Sequence, residues 1–82
     1  GEIPSEIGNL TNLVGLELYN TQIIGNIPPE IGNLTKIEKL NLFDTQLSGD
    51  IPQSVCDLIE SNNLDISNIL EGNDDLINTC DD

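Results

Sequence analysis

GEIPSEIGNLTNLVGLELYNTQII, residues 1–24, and GNIPPEIGNLTKIEKLNLFDTQLS, residues 25–48, are one stretch written twice. Aligned without a gap, the two share 13 of 24 residues. A third copy opens at Gly49 with GDIPQSVCDL and then drifts. Self-similarity at a fixed period is the mark of a stacked architecture: one unit cannot bury its apolar face alone, and its neighbours make the core continuous. Each copy carries an L-x-x-L-x-L run, Leu13-Val14-Gly15-Leu16-Glu17-Leu18 and Ile37-Glu38-Lys39-Leu40-Asn41-Leu42. Strand alternation sends the last two apolar residues of each run to one face and their neighbours to the other. The reading is a repeat solenoid of 24-residue coils, with short strands stacked in parallel about 4.8 Å apart.

The inward columns follow from the alignment. They are Ile3/Ile27/Ile51, Ile7/Ile31/Val55, Leu10/Leu34/Leu58, Leu13/Ile37/Ser61, Leu16/Leu40/Leu64 and Leu18/Leu42/Ile66, with Ile23 and Leu47 in a further column. Pro4, Pro28 and Pro52 lack an N–H and suit strand ends and turns. Gly8 and Gly32 fall where the chain bends before the next strand. After Leu58 the pattern decays. Ser61 replaces an apolar residue, and Ile69 and Glu71 stand where Thr and Leu belong. The reading gives coils 1–24, 25–48 and 49–66, a last strand over Asn62–Ile66, and an acidic C-terminal cap over 67–82. Terminal units of a solenoid are atypical because they close the core against water. The other end shows no such cap. The apolar set Ile3, Ile7, Leu10, Leu13, Leu16 and Leu18 is therefore expected to be covered by further native sequence or by another polypeptide.

The strand segment, followed by the G-x-I-P of Gly25-Asn26-Ile27-Pro28 and Gly49-Asp50-Ile51-Pro52, resembles the plant-type leucine-rich repeat. That repeat is found in plant receptor-kinase ectodomains and polygalacturonase-inhibiting proteins. The resemblance covers residues 1 to about 58 closely and 59–72 loosely. It implies mostly irregular or 3-10 connections between strands, a secreted or extracellular protein, and ligand binding on the concave sheet face. In this family an Asn column caps backbone groups of neighbouring coils. Here Thr21 and Thr45 hold that column, and a hydroxyl makes fewer hydrogen bonds than an amide.

Composition bounds the partners. Fifteen Asp/Glu stand against Lys36 and Lys39, a net charge of −13. Residues 1–48 hold six acids and both lysines, and residues 49–82 hold nine acids and no base. Such a surface repels phosphate backbones, so nucleic acid is excluded as a partner. No apolar run reaches the length of a membrane span, which argues against membrane insertion. The sequons Asn9-Leu10-Thr11 and Asn33-Leu34-Thr35 make Asn9 and Asn33 candidate N-glycosylation sites, although N-L-T is also simply part of the repeat.

Catalysis finds no footing. The chain has no His, and no Ser lies beside a plausible base. Asp74, Asp75, Asp81 and Asp82 lack the alternating spacing of a calcium loop, so neither metal nor cofactor is expected. Glu17 and Asp65 share a column as a conceivable carboxylate pair, but nothing else supports hydrolysis. The outward side of the strands is more informative. It presents Gly15, Glu17 and Tyr19, then Lys39, Asn41 and Phe43, then Asn63, Asp65 and Ser67. Tyr19 and Phe43 are the only aromatic residues and fall in one column. They are either binding anchors or a stack that stabilises the sheet.

The expectation is a non-enzymatic recognition module that binds a protein, peptide or glycan through its concave face, with Glu17, Tyr19, Lys39, Asn41, Phe43 and Asp65 as ligand residues. The alternative is a structural protein stacking end to end into oligomers or filaments through its uncapped first coil. A disulfide between Cys56 and Cys80 is also expected. The two are 24 residues apart, one period, which would set Cys80 one coil beyond Cys56. Coil spacing matches the span of about 4.4–6.8 Å between bridged Cα atoms. Two unpaired thiols are the competing arrangement if the irregular cap carries Cys80 out of its column.

Overall fold

The computed structural model describes residues 1–80; Asp81 and Asp82 of the acidic tail lie outside the described residues. Three turns of the coil stack on one another. β1 (Gly15–Glu17) pairs in parallel with β3 (Lys39–Asn41), so that Gly15 faces Lys39, Leu16 faces Leu40 and Glu17 faces Asn41. This 24-residue register equals the sequence period. The ladder continues past the strands, where Leu18 N–H donates to the Asn41 carbonyl and Asn20 N–H to that of Phe43. A second ribbon runs along the flank, with β2 (Ile24–Gly25) parallel to β4 (Gln46–Leu47). A third pair, β5 (Gly49–Asp50) and β6 (Leu76–Ile77), closes the C-terminal end.

The core is the stack of inward columns. Ile27, Ile31, Leu34, Ile37, Leu42, Leu47, Ile51 and Val55 are buried almost completely. Burying a side chain of this size is worth about 1.5–3 kcal/mol. The first coil is less sheltered, because within this chain it has a neighbour on one side only. Leu34 is 0% exposed and its column-mate Leu10 is 51% exposed. Leu10 belongs to the first-coil set expected to take cover from further sequence or another polypeptide, and within this chain it is exposed.

Connections between strands differ between coils. Ser5–Asn9 and Pro29–Asn33 are 3-10 turns, each entered through an extended proline. The third is a true helix, α1 (Gln53–Ser61), entered from Pro52. The sequence explains the change. Gly8-Asn9 and Gly32-Asn33 become Cys56-Asp57, which removes a glycine that disfavours helix. Val55, Cys56, Leu58 and Ile59 then form one buried face at helical spacing. Gln53 and Asp57, four residues apart, are hydrogen-bonded at 2.9 Å on the outside.

Asn62–Ile66 is not a strand, contrary to the sequence expectation. α1 runs through Ser61, and Asn63 adopts φ 54°, the left-handed region that ends an extended run. The short helix α2 (Ser67–Leu70) follows. The segment still lies beside β3. The Asn62 side-chain amide donates to the carbonyls of Thr35 and Ile37, and Leu42 N–H donates to the carbonyl of Asn68.

α2 also lengthens the coil. Thr21 and Thr45 are 24 residues apart, but the next residue in their column is Asn73, 28 residues beyond Thr45. Ile69, which simple periodicity would put there, is a core residue instead. Asn73 is buried and fully engaged. Its Oδ1 accepts from Thr45 N–H at 2.8 Å and from Thr45 Oγ1 at 3.0 Å. Its Nδ2 donates to the carbonyls of Leu42 and Ile69 at 2.7 and 2.6 Å. The family-type asparagine is thus present in the last coil only. Among the described residues, no buried side-chain polar atom lacks a partner.

Candidate ligand-binding face

The face opposite the core is built by alternation along β1 and β3. Leu16 and Leu40 point inward and are buried, so Gly15 and Lys39 lie on the outer side and are exposed. Glu17 is exposed, and its register partner Asn41 is half-buried. Beyond the strands come Tyr19, 39% exposed, and Phe43, half-buried. Their rings are stacked, with centroids 4.7 Å apart and planes within 2°. That separation equals the strand spacing, so the stack is a direct product of the parallel register. Asn20 and Asp44 follow at φ 55° each and turn the chain off the face.

The third row expected from sequence loses its register: Asn68, and not Asp65, lies beside Asn41, its carbonyl accepting from Leu42 N–H as the Asn41 carbonyl accepts from Leu18 N–H. Asn63, Asp65 and Ser67 are exposed while Leu64 and Ile66 are half-buried, so the in–out alternation survives although the ladder does not. Asp65 is held in place locally. Its Oδ1 accepts from Ser67 Oγ at 2.7 Å and from Ser67 N–H at 3.0 Å, where α2 begins. The hydroxyl bond first, and the amide bond second, stabilise the charged carboxylate and lower its pKa below the ordinary aspartate value. Five of the six residues expected from sequence thus fall on one side of the solenoid. Glu17, Tyr19, Lys39, Asn41 and Phe43 are carried by or just beyond paired strands, and Asp65 is carried by a turn.

The other predicted positions lie elsewhere. Asn9 and Asn33 end the two 3-10 turns and are exposed. Cys56 on α1 is bridged to Cys80, with Cα atoms 5.2 Å apart. Cys80 does not reach this position by simple periodicity, because α2 has lengthened the coil by then. The chain returns through β6, paired to β5, and three residues later meets α1.

Sequence reasoning passed over one feature, a shallow cleft of about 490 Å³ on the flank. It lies between β4 and the loop Gly72–Asp75, with Ile24, Gln46, Ser48 and Asp74 among its lining. The loop that walls it follows α2, so the cleft was not legible before the insertion of α2 was located. Among the described residues, no cluster of His, Cys, Asp and Glu has the arrangement to hold a metal ion.

Comparison with known proteins gives this geometry a family. The Leucine Rich Repeat family model matches residues 12–34 and 36–58. The chain belongs to the leucine-rich-repeat family. Among solved structures it is similar to the plant peptide hormone receptor RGFR1 in complex with RGF2, at 42% identity and a TM-score of 0.68 over 71% of this chain. It is also similar to the ectodomain of the Arabidopsis thaliana membrane receptor kinase GASSHO1/SCHENGEN3 in complex with CASPARIAN STRIP INTEGRITY FACTOR 2. There the identity is 36% and the TM-score 0.67, again over 71% of this chain. The chain spans 10% of the first of these proteins and 7% of the second. A comparison with curated proteins found no match. The family and plant-type likeness expected from G-x-I-P and L-x-x-L-x-L hold.

Proposed function

We propose that this chain is a non-catalytic recognition module of an extracellular plant-type receptor or inhibitor, binding a peptide or protein through its concave face. The observation that carries the reading is the Tyr19–Phe43 stack on the outer side of the paired strands, with Tyr19 well exposed. Rigid aromatic side chains presented outside the core are efficient binding anchors, since they lose little conformational freedom on contact. Glu17, Lys39 and Asn41 flank the stack, Asp65 stands in the turn before α2, and together they supply hydrogen-bond donors and acceptors of either charge. The two similar structures, a plant peptide hormone receptor and a membrane receptor kinase ectodomain, each in complex with a partner, support a peptide or protein as the ligand class. Residues 67–82 act as the cap of this module. N-linked glycans at Asn9 and Asn33 would project from the ends of the two 3-10 turns and leave the concave face free.

The test is Tyr19→Ala and Phe43→Ala, scored for folding and for binding. Circular dichroism and thermal melts are expected to remain close to wild type, because both rings lie outside the core. Binding of peptides selected on the wild-type chain is expected to weaken at least tenfold for one of the two variants. Unchanged binding in both variants would remove the face from the mechanism.

A further inference from the structure

A glycine inside a strand needs a reason, because it weakens the strand and packs nothing. Five of the seven glycines have one in the fold itself. Gly8 and Gly32 are crowded by the next coil, where an added Cβ would lie 2.8 Å from Glu30 and 2.6 Å from Ser54. Gly25, Gly49 and Gly72 sit at φ 87°, 87° and 73°. Gly1 is the first residue. Gly15 is different. It lies within β1 at an ordinary φ, and an added Cβ would meet nothing within 4 Å. Stacking does not demand it either, since its register partner in the next coil is a lysine. Among the described residues nothing calls for glycine here.

We infer that Gly15 is where the main chain of a bound, extended peptide comes closest to the concave face. This deepens the recognition reading and rests on it. The missing side chain leaves open space on the outer side of β1, beside Lys39 across the ladder and Glu17 two residues on. Lys39 donates hydrogen bonds, the Glu17 carboxylate accepts them, and Asn41 does both. A peptide main chain also presents donors and acceptors in alternation. It fits this mixture, whereas a polyanion would meet Glu17 and a hydrocarbon would bury charges. A ligand backbone can approach Gly15 more closely than any position bearing a Cβ. Tyr19 and Phe43, further along the same face, then receive side chains of that peptide.

The experiment uses Gly15→Ala and Gly15→Val in the full chain, with a phage-displayed library of linear 12-residue peptides panned on the wild-type protein. Both variants are expected to fold with a Tm equal to wild type or raised by roughly 2–8 °C, because a side chain that meets no clash mainly restricts the unfolded state. The selected peptides are expected to lose at least tenfold in affinity for Gly15→Val, and less for Gly15→Ala. A lowered Tm in both variants would make the glycine structural and overturn the inference. Equal affinity for wild type and Gly15→Val would overturn it too. If those same peptides still lost affinity for Phe43→Ala, the face would stand and only the approach point would fall. Peptides indifferent to Gly15, Tyr19 and Phe43 alike would sink both readings. A library yielding no wild-type binder would rule out the peptide class.

Discussion

Positions 8, 32 and 56 form one column of the solenoid and hold Gly, Gly and Cys. The difference is steric. A Cβ at Gly32 would sit 2.6 Å from the Ser54 Cβ and 3.0 Å from the Ser54 carbonyl carbon, so main chain would have to move. Gly32→Ala is accordingly expected to destabilise by roughly 1–3 kcal/mol, the usual cost of overpacking, measured by urea unfolding. The same change at Gly15 carries no such cost. At residue 56 the next turn supplies Cys80 instead of a crowding backbone, so the column can carry a side chain and a bridge. Asp65 gives a second expectation at this scale. Its folded pKa is depressed by Ser67, so its stabilising contribution is present above the ordinary aspartate pKa of the unfolded chain. It is lost as pH falls through the lower folded value. Ser67→Ala should move the Asp65 pKa back up toward the ordinary value, as followed by NMR titration of its carboxyl carbon. An unmoved midpoint would mean that the hydroxyl bond is not its main cause.

At the scale of elements, what the sequence made legible is what repeats. Leu16, Leu40 and their column-mates give the strands, the parallel register and the outer face, because period and alternation encode them directly. The family resemblance implies irregular or 3-10 connections, whereas Val55, Cys56, Leu58 and Ile59 carry the helical spacing of α1. The strand expected at Asn62–Ile66 failed for a local reason: Asn63 takes a left-handed turn and Asp65 bonds the backbone that starts α2. No period could place the extra residues of α2, and so the partner of Thr45 was sought at Ile69 and not at Asn73. That asparagine joins three pieces of chain through four hydrogen bonds. Asn73→Ala would leave the Thr45 N–H and the Leu42 and Ile69 carbonyls without this partner inside the core. Unsatisfied buried groups cost about 1–3 kcal/mol each before relaxation. A loss of roughly 2–5 kcal/mol is expected from chemical denaturation, against less than about 1.5 kcal/mol for the exposed Thr21→Ala, which gives up one bond to Leu18.

Across the whole molecule, stability must come from a small core under a large negative charge. A chain of this size has on the order of 4–12 kcal/mol of net stability, and the mutual repulsion of fifteen acids against two lysines reduces it at low salt. The acid-rich C-terminal third is where this pressure is greatest and where the repeat has decayed. The Cys56–Cys80 bridge acts there. It fastens the end of the chain to α1, and with it β6, whose Leu76 is buried and whose Ile77 carbonyl accepts from Ile51 N–H. Closing a loop of 24 residues removes unfolded-state entropy worth about 3 kcal/mol in the chain-entropy model. That is a quarter or more of the total, so reduction is expected to be felt well beyond the cap. Replacing both cysteines by serine should lower stability by about 3 kcal/mol, with amide exchange accelerated first in β5, β6 and the loop holding Asn73. β1 and β3, which depend on the repeat columns and not on the bridge, should retain the slower exchange. Uniform acceleration throughout the chain would mean that the coils and cap unfold as one unit. A loss under about 1 kcal/mol would mean that the packing of Ile51, Leu76 and Asn73 holds the cap without the bridge.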